Sequence, residues 1–235
     1  MLTDYNFFFN GRESMDLGLI LSEYPNIPTI AENIETTEIL GKEEPLIEKL
    51  GTFKNKTISC TFKLLDTEDY HKSVMEINRW LFDVEDNKLY LNMQDRYYKV
   101  RNVEVGEITR QLELYGEFTV NFVCSPFLFA DSTKIETSSK SIDIYNFGDF
   151  DICPTIEIYG NGNVEVSCGG VAIQIEKVSN YAKVDGELKE VVNNDGTSKI
   201  WDTIGDFPVL KKGANTVILT GTVTKAIINY STKYY

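Results

Sequence analysis

One histidine and four scattered cysteines leave this chain little material for metal or covalent chemistry. Cys60, Cys124, Cys153 and Cys168 form no CxxC pair, and His71 stands apart from them. Structural zinc needs clustered Cys and His ligands, so no metal site is expected, and the thiols are expected to be buried and reduced. Disulfides depend on geometry that spacing does not give. No serine or cysteine near His71 sits in a nucleophile elbow. Gly160-Asn161-Gly162 and Cys168-Gly169-Gly170 do not open a helix, so neither reads as a phosphate cradle. Acid pairs such as Asp149/Asp151 and Glu187/Glu190 occur, but 36 carboxylates produce such pairs by chance. The expectation is a protein that is not an enzyme and needs no cofactor. No run approaches the ~18 apolar residues of a membrane-spanning helix. Met1–Asp4 lacks a basic stretch leading into an apolar one, so no signal peptide is expected. Base is scarce too: the net charge of −13 argues against specific nucleic-acid binding, because phosphate contacts need Lys and Arg.

What the chain does have is apolar residues at 42%, enough for a sizeable core. Its charge is lopsided. Residues 1–150 hold 26 acids and 15 bases, whereas residues 151–235 hold 10 and 8.

Most segments read as short strands. An aromatic strand ends at the tight-turn dipeptide Asn10-Gly11. Residues 57–65 alternate, with Ile58, Cys60, Phe62 and Leu64 on one face. Residues 88–93 and 97–105 form a hairpin around Gln94-Asp95-Arg96. Residues 117–125 form another strand, ended by Pro126. One segment has helical spacing: Tyr70, Val74, Ile77 and Leu81 make one stripe, with Trp80 beside it, predicting a helix at about 67–82 that packs on a sheet. Asp66 or Thr67 can cap it.

Residues 22–50 are interrupted by Pro25, Pro28 and Pro45. Glu32, Glu35, Glu38, Glu43, Glu44 and Glu48 there face only Lys42 and Lys49. This reads as a long irregular acidic excursion, and loops of that length often bind partners. Its candidate contact residues are Glu35, Glu38, Gly41, Lys42, Glu43 and Glu44. Residues 131–141 are polar and Ser/Thr/Lys-rich, resembling a linker, so the domains are set at 1–135 and 136–235. After the break, short strands are expected at 155–159 and 164–168 around Gly160-Asn161-Gly162-Asn163, at 171–176 and 181–184, and as a last pair at 215–220 and 225–230. Turns every 8–12 residues without helices indicate an antiparallel sandwich. The fold class is therefore mainly β: an N-terminal β-domain with one α-helix, then a C-terminal β-sandwich.

Several stretches resemble one family. Phe9-Asn10-Gly11-Arg12-Glu13-Ser14-Met15-Asp16-Leu17-Gly18-Leu19 resembles the opening of phage distal tail proteins. Tyr97-Tyr98-Lys99-Val100 and the strand from Thr119 to Phe127 are similar to that family as well. So is the stretch Gly205-Asp206-Phe207-Pro208-Val209-Leu210-Lys211-Lys212-Gly213-Ala214-Asn215-Thr216, preceded by Val184–Val191. Residues Asn10, Gly11, Gly205, Asp206, Phe207, Pro208, Leu210, Gly213 and Asn215 carry the motif and read as turn and core residues. Phe207 and Leu210 can pack inward around Pro208, while Gly213 and Asn215 allow a reversal. Many relatives have an Ile–Pro–Gly–Arg–Asp–Gly-like stretch where this chain has Ile39-Leu40-Gly41-Lys42-Glu43-Glu44. No large insertion adds a sugar-binding module.

The resemblance implies a hexameric ring built by the N-terminal domain and an outer galectin-like sandwich. Such a ring is a baseplate hub at the virion tail tip, made in the bacterial cytoplasm. Its implied partners are further copies of itself, the tail tube protein, a tail-tip or tail-associated protein, and the tape-measure protein. An acidic N-terminal half suits a DNA conduit, because like charge discourages sticking. Two other readings stand beside it. A carbohydrate-binding adhesion module predicts exposed aromatics on the sandwich, and Trp201 with Asp202 is the candidate platform. A cell-wall hydrolase predicts a carboxylate in a cleft, for which the sequence offers no feature.

Overall fold

The structure, a computed structural model, describes residues 6–65, 70–93, 95–106, 109–110 and 116–235, without the side chains of Tyr70, Thr109 and Arg110. Contacts divide the chain into one unit of Met1–Phe129 with Tyr235 and a second of Ala130–Tyr234. The helix caps expected at Asp66 or Thr67, and Gln94 of the expected turn, lie outside the described residues.

The first unit contains β1 (Phe7–Phe9), β2 (Arg12–Glu13), β3 (Leu19–Leu21), β4 (Glu32–Thr37), β5 (Leu46–Phe53) and β6 (Lys56–Leu64). Then come α1 (Tyr70–Phe82), β7 (Lys88–Leu91), β8 (Arg96–Val105), β9 (Thr109–Arg110) and β10 (Gly116–Ala130). Its main sheet runs β2-β1-β7-β8-β10-β6-β3, with β6 antiparallel to β10 from Lys56 to Leu64. The period-2 expectation for β6 holds: Ile58, Cys60, Phe62 and Leu64 are buried and alternate with more exposed residues. Pro126 does not end its strand, contrary to expectation. The β6 ladder already stops at Cys124, so the missing proline N–H costs no bond to that neighbour.

The helix covers one sheet face. Ile77, Trp80 and Leu81 are buried, Val74 is half-buried, and the Tyr70 side chain is not described. Trp80 packs on Phe7 and Phe9 at centroid distances of 5.5 and 5.8 Å, and its indole N–H donates to the Phe9 carbonyl at 2.7 Å. The rings of Phe62 and Phe122 extend this cluster behind Phe7, at 5.1 and 5.9 Å.

The second unit contains β11 (Thr133–Thr137), β12 (Ser141–Asn146), β13 (Thr155–Cys168), β14 (Val171–Asp185) and β15 (Glu190–Val192). It ends with β16 (Thr203–Gly205), β17 (Gly213–Tyr230) and β18 (Lys233–Tyr234). Two sequence readings are corrected here. The stretch read as a linker holds β11, which pairs with β17 from Thr133 to Thr137. Its threonines suit an extended backbone, and Ile135 packs against the sandwich core, so local polarity misled. The short strands expected on either side of Gly160-Asn161-Gly162-Asn163 are one long strand, β13.

Strands β14 and β17 run through their expected turns in the same way. The glycines serve bulges instead: register shifts between Gly162 and Val164, and Gly221 adopts φ 89° beside it. The bent strands wrap one apolar core that includes Ile156, Ile158, Val166, Ile175, Leu219 and Ile228.

Candidate partner interface: an exposed hairpin arm

The acidic excursion is only partly irregular: residues 22–31 and 38–45 form no strand or helix, but the segments between and after them do. β4 and β5 pair as a separate two-stranded antiparallel sheet, with Thr36 opposite Ile47 and Thr37 opposite Leu46. β-branched Ile34, Thr36, Thr37 and Ile47 favour extended backbone, and this outweighs the prolines, which fall outside the two strands. At its base the arm is fixed to the first unit: Lys54 N–H donates to the Ala31 carbonyl at 2.8 Å, and the Phe53 ring meets Phe127 at 5.3 Å.

Beyond the base it is left uncovered by the described residues. Every residue of β4 and β5 is exposed except Asn33 and Phe53, which are half-buried. Ile34, Leu46, Ile47 and Leu50 are each about half exposed, and Leu40 at the tip is fully so. By alternation Ile34, Thr36 and Ile47 share one face, and Glu35, Thr37, Leu46 and Glu48 the other. Glu35 and Glu48 are cross-strand partners, an opposition of like charges that destabilises a hairpin standing alone. Lys49 neutralises Glu32 at 2.7 Å. The remaining glutamates have one lysine between them on the arm, Lys42.

The structure gathers the candidate contact residues on this arm. Glu35 lies in β4, Glu38, Gly41, Lys42, Glu43 and Glu44 lie in the connection, and Gly41 holds φ 84°. Lys42, Glu43 and Glu44 line an open recess of ≈ 490 Å³ with Ile39, Pro45 and Leu46. The exposed apolar residues were missed in the sequence. Their signal was present, in β-branched residues at matching places on either side of a Gly-Lys turn.

The motif residues are dispersed and structural. Asn10 and Gly11 turn the chain at φ 46° and 73°. Asn10 also donates to the Trp80 and Asp83 carbonyls, both at 2.8 Å, and accepts from Glu85 and Asp86 N–H at 2.9 and 3.1 Å. Ser14, fully buried, donates to Asn6 Oδ1 at 2.7 Å. Gly205 at φ 107° lies so close to Ala172 that a Cβ would stand 2.2 Å from its carbonyl oxygen, and Asp206 N–H donates to that carbonyl at 2.9 Å. Leu210 is fully buried and exchanges backbone hydrogen bonds with Ile152, while Pro208 is buried and Phe207 half-buried. Gly213, at φ 92°, opens β17. Asn215 closes the reversal, accepting from Lys211 N–H at 2.8 Å and donating to the Lys211 and Gly213 carbonyls.

A family model described as the phage tail protein N-terminal domain matches residues 2–126, more than half of the chain. The chain belongs to that phage tail protein family. Among solved structures, the phage tail protein resembles the crystal structure of SPP1 Dit (gp 19.1), titled a paradigm of the hub adsorption apparatus in phages that infect Gram-positive bacteria. The two are 14% identical and superpose with a TM-score of 0.67, over 97% of this chain and 99% of the other. That likeness supports the β-rich fold with one helix expected from the distal tail resemblance. No curated protein sequence matches it.

The four cysteines are free. Cys60, Cys124 and Cys168 are buried, but Cys153 is half-exposed, against the expectation of four buried thiols. Burial pushes Cys60 up to about 12, with Cys124 nearby adding to it, and pushes Cys124 up to about 12 against the pull of Lys56. Among the described residues no group of three or more His, Cys, Asp or Glu could hold a metal.

Proposed function

We propose that this phage tail protein is a distal tail hub, a structural component and not an enzyme, which closes into a ring of six copies at the virion tail tip. The ring would join the tail tube to the tail-tip or tail-associated protein and leave a channel for the tape-measure protein and DNA. The observation that carries the reading is the hairpin arm. A two-stranded sheet open on both faces is marginal in water, yet this one exposes Ile34, Leu40, Leu46, Ile47 and Leu50 together. Cyclic closure needs two unlike complementary patches on each subunit, and the arm supplies one. Its partner patch should be apolar at the centre and basic at the rim, to accept Glu35, Glu38, Glu43, Glu44 and Glu48.

The test is the solution mass of the full chain, alone and with the tail tube protein, by light scattering across ionic strengths. Intact protein should assemble into closed rings. A variant with Leu40→Ser, Leu46→Ser and Ile47→Ser should remain monomeric with unchanged far-UV circular dichroism. Rings that form equally well from this variant would sink the assignment of the arm. Failure of the intact chain to assemble even with its tube partner would sink the hub.

A further inference from the structure

The second unit carries an exposed tryptophan on a braced turn. The segment from Val191 to Thr203 folds back on itself: Lys199 N–H donates to the Val191 carbonyl at 2.6 Å, and Asn193 N–H to that of Thr197 at 2.9 Å. Its side chains lock the loop further. Asn193 Nδ2 donates to Thr197 Oγ1 at 2.9 Å, and Thr197 gives both its N–H and its hydroxyl to Asp195 Oδ1. The loop ends in a 3-10 turn, Ile200–Asp202, that lifts Trp201 into solvent at 96% exposure.

The base of that turn is built. Lys199 is only 7% exposed, and its ammonium donates to the Glu176 carbonyl at 3.1 Å and to Asp202 Oδ2 at 2.9 Å. Thr203 Oγ1 donates to the Ile200 carbonyl at 2.6 Å. The fold thus spends a buried lysine on bracing the backbone that presents one bare indole. Bracing the turn before contact removes the backbone share of the ordering cost of binding. An indole that only closed a turn would gain nothing from full exposure.

We propose that the Trp201 turn is a binding subsite for a neutral saccharide of a polymeric glycan. The chemistry of the turn selects that ligand. A pyranose offers an apolar C–H face and a rim of hydroxyls. The indole face receives the first, while the carboxylate of the adjacent Asp202, whose Oδ2 is held by Lys199, can accept from the second.

Charge narrows the choice. Lys199 holds the Asp202 carboxyl below the usual carboxylate range, and Thr197 does the same for Asp195. Both stay anionic at neutral pH, and Asp202 consumes the one buried cation of the turn. Phosphate-bearing or carboxylated polymers are therefore repelled, and neutral ones accepted. The proposal does not depend on ring closure, and its test is separate.

The chain holds two tryptophans, Trp80 buried in the first unit and Trp201 exposed, so acrylamide quenching of fluorescence reports mainly on Trp201. The full-length protein is titrated with neutral oligosaccharides of glucose, galactose, rhamnose and N-acetylglucosamine, and with a phosphate-bearing glycerol polymer as the anionic comparison. At least one neutral probe should shield Trp201 from acrylamide and bind with a measurable Kd. Trp201→Ala should weaken that binding by roughly tenfold or more, as truncation of an anchoring aromatic does. Trp201→Phe should recover part of it, and Lys199→Met should weaken it through lost positioning while the fold persists. The proposal is overturned if no neutral probe binds, or if only the anionic polymer does. It is equally overturned if binding survives Trp201→Ala but is lost in Tyr145→Ala/Phe147→Ala, the other exposed ring pair, 4.5 Å apart. Shielding that appears with rising protein concentration alone would assign the turn to a second copy and also refute it.

Discussion

Replacing Asn10 by alanine tests how a single turn residue holds the helix to the sheet. The side chain makes four hydrogen bonds, two to carbonyls at the end of α1 and two to the N–H groups that follow it. The bonds to the Trp80 carbonyl and from Asp86 N–H are part-buried, and the other two are exposed. Water can replace the exposed pair, so only the part-buried pair is counted, at about 1 kcal/mol each. Asn10 also sits at φ 46°, where alanine suffers a left-handed penalty of about 1–2 kcal/mol. The sum predicts a loss of about 3–4 kcal/mol for Asn10→Ala. Asn10→Gly loses the same bonds but tolerates the φ, so it should fall between wild type and alanine. Urea unfolding followed through the emission of buried Trp80 measures the first unit, with the exposed Trp201 as background. A change under about 0.5 kcal/mol for alanine, or a glycine variant less stable than the alanine one, would refute the reasoning.

Other predictions follow from the same structure. Ile77→Ala should cost roughly 2–5 kcal/mol in chemical denaturation, because Ile77 is fully buried beneath α1. Gly221→Ala should be far more damaging to the thermal midpoint than Gly162→Ala: both have positive φ, but only at Gly221 would a Cβ stand 2.2 Å from the Asn163 carbonyl oxygen. A thiol reagent at pH 8 should modify Cys153 rapidly and the buried Cys60, Cys124 and Cys168 only on unfolding. Unfolded thiols ionise near 9.0, while Cys60 and Cys124 ionise near 12 in the fold. Their contribution to stability is therefore full below pH 9 and declines as pH rises toward 12, visible as a falling urea midpoint over that window.

The sequence made β6 and α1 legible because each has one buried face, and burial imposes a period that can be read directly. The second unit was less legible at its bends. Gly160-Asn161-Gly162-Asn163 supplies positive φ and free backbone groups, and a reversal and a bulge both require them. Which one forms is decided by β14 and β17, which bend at the same level: Lys177 and Asn180 take positive φ and donate their N–H groups to Asn163 and Asn161. Nothing local carries that information. The same limit hid β11, whose polar residues become a strand only because the end of β17 lies alongside.

The arm was half-legible for a different reason. Its glutamates marked it as unusual, but its strands have no buried face in the chain, so no alternation of burial exists to be read. A hairpin that places Glu35 against Glu48 and leaves Ile34, Leu46 and Ile47 in water conflicts with the rules its own chain obeys elsewhere. Such a conflict is resolved by whatever covers the segment. Burying those three aliphatic side chains in an interface would return on the order of 25 cal/mol per Å² of apolar surface, and basic groups set against the glutamates would turn repulsion into attraction. The residues that look wrong for a free hairpin are therefore the ones on which assembly should depend, and substituting them should change oligomer mass well before it changes the fold of either unit.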